Sequence, residues 1–179
     1  MKKNFIKIFL LIFLISNLIF SENKKLNENF RIEDGEVYYI NRKIEGADAK
    51  TFEIFEDNEY AKDKNNVYYD FQKIEGADIK TFEPDGYSIG KDKTGVYYKT
   101  HKINGIDVNS TEVLENEFYK DKNNIYYRNK KLENFKPENF EVISSSLVGQ
   151  NEDFYYFTED ENDNTKFFLL ENKNVDAET

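Results

Sequence analysis

The stretch Lys62-Asp63-Lys64-Asn65-Asn66-Val67-Tyr68-Tyr69, KDKNNVYY, decides how this chain is read, because it returns as KDKTGVYY at residues 91–98 and as KDKNNIYY at residues 120–127. A fainter copy, Glu36-Val37-Tyr38-Tyr39, precedes the three, and Asp153-Phe154-Tyr155-Tyr156 follows them. From Val37 to Val67, Val96, Ile125 and Phe154 the steps are 30, 29, 29 and 29 residues. A fixed period of that size marks a repeat array whose units are too small to bury an apolar face alone and must stack on their neighbours.

Working outward from Val67, β-branched residues and tyrosines flank a cluster of Asx residues, the pattern of a β-hairpin. Tyr60 to Asp63 is the outgoing strand, Lys64-Asn65-Asn66 the turn and Val67 to Phe71 the return. Asp34-Gly35, Thr94-Gly95 and Asn123-Asn124 are the matching turns, with Gly or Asn where a positive φ is expected. Tyr68 and Tyr69 fall on opposite faces of their strand, so both faces are expected to be at least partly covered.

The hairpin is followed by Lys73-Ile74-Glu75-Gly76-Ala77-Asp78, which recurs at residues 43–48 and loosely at 102–107. Gly46, Gly76 and Gly105, replaced by Asn134 in the fourth copy, predict a sharp left-handed turn. Asp48, Asp78 and Asp107 stand where an N-cap would open one helical turn, closed by Phe52, Phe82 and Phe140 as plugs between units; Thr111 breaks that pattern. A short strand then follows at 53–55, 112–114 and 141–143, and Pro84-Asp85-Gly86 restricts its counterpart to a sheet edge or removes it.

The expected fold is therefore all-β: a tandem array of about five ~29-residue hairpin or three-stranded meander repeats, an open stack rather than a small propeller-like closure. Residues 1–21 read as a signal peptide, 22–158 as the array and 159–179 as a C-terminal capping hairpin and frayed tail. The leader has Lys2, Lys3 and Lys7 before the apolar run Ile8–Phe20, which is too short to span a ~30 Å hydrocarbon core. A secreted, periplasmic or cell-surface setting follows, with no stable membrane insertion after cleavage.

The formal charge is -10, and removing the leader's three lysines and no acid takes it to -13. Such a chain is repelled by phosphate backbones and anionic membranes, so nucleic acid is excluded as a partner. There is no cysteine, so stability comes from packing, for which an aromatic content of 16% provides the material.

The recurring KDKNNVYY, with KIEGAD and TFE after it, resembles the DKNYY repeat family of bacterial proteins over roughly Arg31 to Phe157. The first and last copies depart from the motif in having no Asp-Lys pair in register. The resemblance implies a cell-envelope or secreted setting and carries no assigned activity and no catalytic residue.

No cofactor, metal site or catalytic residue is nominated. His101, the one histidine, occupies a tolerant turn position held by Arg42, Gln72 and Lys130 elsewhere. Asp160, Asn162, Asp163, Asn164 and Glu171 partly resemble a calcium loop, but Thr165 stands at the glycine position and the flanks read as strands, so a solvated hairpin loop is the better reading. Asp63, Asp92 and Asp121 read as turn caps. The candidate binding surface is the tyrosine ladder Tyr38, Tyr39, Tyr68, Tyr69, Tyr97, Tyr98, Tyr126 and Tyr127, set against the alternative that at least one of each pair is core. The leading expectation is a non-enzymatic binding module for an envelope protein or glycan. The second is an assembly module that self-associates through strand edges, and the third a hydrolase with a carboxylate site.

Overall fold

The computed structural model describes residues 23–150, 153–159 and 165–170. The expected leader and the loop at 160–164 lie outside them, as does the tail beyond Leu170. Every described element is a strand except one 3-10 turn at Val108–Ser110.

Two compact units divide at Phe82 and Glu83. The first holds two sheets: β1 (Lys24–Lys25), β2 (Phe30–Glu33), β3 (Glu36–Tyr39) and β4 (Arg42–Lys43), then β5 (Glu53–Ile54), β6 (Tyr60–Lys62), β7 (Val67–Tyr69) and β8 (Gln72–Lys73). The second holds three. They are β9 (Glu83–Gly86) to β12 (His101–Lys102) through β10 (Ile89–Asp92) and β11 (Gly95–Tyr98); β13 (Glu112–Val113) to β16 (Lys130–Leu132) through β14 (Phe118–Lys120) and β15 (Ile125–Tyr127); and β17 (Phe140–Ser144) to β20 (Thr165–Leu170) through β18 (Leu147–Gln150) and β19 (Asp153–Glu159). Each sheet is antiparallel, runs in sequence order and keeps two edges, so none closes on itself.

The expected meanders are thus present with four strands, not two or three, for two reasons. The strand after the helical turn pairs forward: Glu53 of β5 lies opposite Lys62 of β6, and Glu112 of β13 opposite Lys120 of β14. It opens the next sheet instead of completing its own. The KIEGAD segment also begins as a short strand, β8 opposite β7, and Ile74 N–H donates to the Val67 carbonyl at 2.9 Å before the turn starts. Two-residue strands cannot display the alternation by which strands are recognised.

The glycine turns are left-handed as expected, with φ of +75° at Gly46 and +78° at Gly76 and Gly105. Asn134 does not share that geometry; in its connection the left-handed residue is Asn139, φ 54°. The hairpin tips differ too. Asp34 and Gly35 both have positive φ, as a two-residue primed turn requires, whereas the later tips do not, because an aspartate side chain closes them instead. β9 is a sheet edge, which is what Pro84 demands.

A second hairpin follows each of the first four Tyr-Tyr pairs, and its first residue is left-handed every time: Ile40, Asp70, Lys99 and Arg128, φ 53–54°. Their amides donate to the carbonyls of Asn29, Glu59, Ser88 and Glu117. Ile40 is 51% exposed there, so a β-branched side chain bears the strain with little burial in return. Ile40→Gly is expected to stabilise the first unit by roughly 1 kcal/mol, read as a raised Tm; a lowered Tm would show that the isoleucine is held by packing.

Within each unit neighbouring sheets share a core. Phe30, Val37 and Ile44 of the first sheet meet Ala61 and Tyr68 of the second across Phe52, whose ring lies 5.7 Å from both Phe30 and Tyr68. Phe140 sits 5.7 Å from Phe118 between the last two sheets, so Phe52 and Phe140 plug neighbouring sheets as expected, while Phe82 packs on Phe55 and Tyr60 of the second sheet. The C-terminal hairpin is β19 with β20, and it completes the fifth sheet, in register from Phe154 opposite Leu170 to Glu159 opposite Thr165.

Candidate functional site

The repeated Asp and Tyr of the motif form one clasp. Asp63 is buried at the end of β6, where its Oδ1 accepts the amides of Asn65 and Asn66 at 2.7 and 2.8 Å. Its Oδ2 accepts the Tyr68 hydroxyl at 2.9 Å and, from the preceding connection, the Asp48 amide at 2.8 Å. The Lys64 ammonium completes the lock in an ion pair with the Asp48 carboxylate, whose Oδ1 also caps the Lys50 amide. Lys64 holds the Asp48 carboxyl below its usual range.

In the fourth sheet Asp121 accepts from Asn123, Asn124, Tyr126 and the Asp107 amide, and Lys122 pairs with Asp107 at 2.8 Å. In the third, Asp92 accepts from Thr94, Gly95 and Tyr97. Burial pushes the Asp63 and Asp121 carboxyls up, but their backbone amide donors, with Tyr68 and the Asn124 side chain, outweigh it, and both sit below the ordinary range. Tyr68 and Tyr126 are pushed up to about 12, by burial first and then by the adjacent carboxylate.

Each end copy departs from the motif in its own way. In the first sheet Glu33 pairs with Arg31 at 3.2 Å, and the guanidinium lies 4.7 Å from the centre of the Tyr38 ring. In the fifth, Gln150 takes the aspartate's place and its Nε2 donates to the Lys136 carbonyl at 3.0 Å. The link between connection and hairpin survives with donor and acceptor exchanged.

Of the tyrosine ladder, Tyr68, Tyr97, Tyr98, Tyr126 and Tyr127 are buried, while Tyr38, Tyr39 and Tyr69 are half-buried. The first member of each motif pair points its hydroxyl at the clasp. Tyr39 is pushed up to about 12 by burial and by a hydrogen bond with Asp70. His101 is exposed on β12 beside Thr100. Among the described residues no three His, Cys, Asp or Glu side chains gather to hold a metal ion, and no helix is long and apolar enough to cross a membrane.

Recesses open on the described surface of both units. One, of about 660 Å³ in the first unit, lies among Lys24, Leu26, Ile32, Ala47, Phe52 and Lys64. Another, of about 480 Å³ in the second unit, lies among Tyr87, Asn116, Glu117, Tyr127, Arg128 and Phe157. At its wall the Glu117 carboxylate accepts the Tyr98 hydroxyl at 2.5 Å on one oxygen and Arg128 Nε at 2.7 Å on the other. Tyr98 and Tyr127 are thereby brought to one place with Glu117 and Arg128, which carried no signal in the repeat pattern. Arg128 stands where the earlier copies have Ile40, Asp70 and Lys99, whereas Glu117 repeats Glu59 and differs from Ser88.

The family model that matches this chain is that of the DKNYY family, over residues 2–101 and again over residues 87–179. No curated protein and no solved structure matches it.

Proposed function

Because the chain belongs to the DKNYY family, whose motif here forms an internal clasp, we propose that it is an exported, non-enzymatic repeat scaffold that binds a protein or glycan of the cell envelope. The reading is supported most by the direction of the motif residues. Asp63, Asp92 and Asp121 and their tyrosines are turned inward and hydrogen-bonded to the fold, so the repeat serves to hold surfaces in place. The basic, apolar leader and the acidic composition favour export and a proteinaceous or sugar partner over nucleic acid.

The test immobilises the chain from Glu22 to Thr179, challenges it with envelope extract and a glycan array, and titrates any retained component after purification. Saturable binding that persists at physiological salt is the expected result; a chain that retains nothing saturably would overturn the reading.

A second reading, assembly between copies, is favoured by β20. This six-residue edge strand has only β19 beside it among the described strands and exposes Phe168 and Leu169 by 40% and 53%. Light scattering across a concentration series separates the two readings, since only assembly makes the particle grow with concentration.

A further inference from the structure

The recess in the second unit has a feature that the fold does not require. Asn58, Tyr87, Asn116 and Ser145 occupy one repeat position, and three of them are left-handed, with φ of 62°, 50° and 54° at Asn58, Tyr87 and Asn116. Asparagine tolerates that conformation well and a bulky aromatic residue does not. Tyr87 nevertheless stands there, 51% exposed, at the border of the recess. The strain brings little burial in return, and what distinguishes Tyr87 is the polar pair that shares its recess.

In the same recess, Glu117 and Arg128 each keep about a quarter of their side-chain surface exposed, at 25% each. They are fixed by their own ion pair and by the Tyr98 hydroxyl. Each Glu117 oxygen accepts one of these bonds and retains capacity for another. The pair has no net charge, and the protein as a whole is acidic, so an anionic ligand gains nothing at this site. A fixed carboxylate, which accepts, and a guanidinium N–H edge, which donates, match vicinal hydroxyls, which both donate and accept. An exposed tyrosine ring matches the C–H face of a pyranose. A recess of about 480 Å³ lies within the range of small-ligand sites, and a wall already held in place loses little freedom on binding.

We infer that the hollow beside Tyr87, Glu117 and Arg128 is a binding site for a neutral pyranose unit of a glycan, with the sugar ring stacked on Tyr87 and its hydroxyls on the Glu117–Arg128 pair. The inference rests on the binding-module reading and narrows it to one ligand class and one place.

The test uses the chain from Glu22 to Thr179, with cellobiose, maltose and N,N′-diacetylchitobiose as neutral probes, heparin as the anionic one, and titration calorimetry as the readout. The variant is Tyr87→Asn, the residue that sister positions carry. It is expected to fold, with Tm unchanged or raised, and to bind the sugar about tenfold or more weakly, because the stacking platform is lost. Glu117→Gln, which removes the charge but keeps the shape, is expected to weaken binding with the fold intact by circular dichroism. Sugar binding left unchanged in Tyr87→Asn, or binding of heparin alone, would overturn the site. Saturable retention of a protein with no affinity for any neutral glycan would overturn it too, yet would leave the binding-module reading standing. Retention of nothing would remove both.

Discussion

Asp121→Ala is expected to destabilise the second unit by about 3 kcal/mol, because it strands several buried donors at once. Asp121 is 2% exposed and accepts the amides of Asn123, Asn124 and Asp107 together with the Tyr126 hydroxyl. Alanine satisfies none of them, and the desolvation cost of each unpaired group adds to the loss of the turn. Asp121→Asn separates the two roles. Its carbonyl oxygen can still cap the turn, but an NH2 group replaces the oxygen that receives Asp107 N–H and Tyr126 Oη, so an intermediate loss is expected. Urea titration followed by circular dichroism gives the numbers, and equal stability of wild type and Asp121→Ala would mean that the clasp contributes nothing net.

The same carboxylates set a pH dependence. Asp63 and Asp121 have folded pKa values below the ordinary range, so their contribution is fully present above the unfolded aspartate value of about 4. It is lost as pH falls through the folded value. Wild type should therefore lose stability on acidification below about pH 4 more steeply than Asp121→Asn, which lacks that titrating group.

Phe118→Ala is the second large effect, expected at 3–5 kcal/mol. Phe118 is 0% exposed, and its ring lies 4.5 Å from Tyr127, 5.7 Å from Phe140 and 5.4 Å from Phe157. It joins the fourth and fifth sheets, and truncation opens a cavity that three large rings cannot collapse to fill. Phe118→Leu should lose much less, on the order of 1.5 kcal/mol, since most of the volume is kept. A loss below about 1 kcal/mol for Phe118→Ala, with an unchanged dependence on urea, would show that these sheets do not share one core.

The sequence alone determined the repeat, its period and the all-β class, since each rests on local chemistry that recurs. Val67-Tyr68-Tyr69 must alternate faces in any strand, Gly76 marks a left-handed turn, and Pro84 is confined to an edge whatever surrounds it. Asp107 caps the 3-10 turn as its position predicts. Tertiary structure alone decided which strands share a sheet, because two-residue strands such as β4 and β8 have no periodicity and pair according to what lies beside them. It also decided that Asp63 and Tyr68, five residues apart in the motif, close on the Asp48 amide from the preceding connection, a contact for which spacing gives no rule. The recess at Tyr87 arises in the same way: Tyr98, Glu117 and Arg128 come from separate strands and turns, and only stacking of neighbouring sheets brings their polar groups within hydrogen-bonding distance. Local conformation is written residue by residue, whereas a site between sheets depends on how closely two surfaces pack, and that is a property of the folded chain.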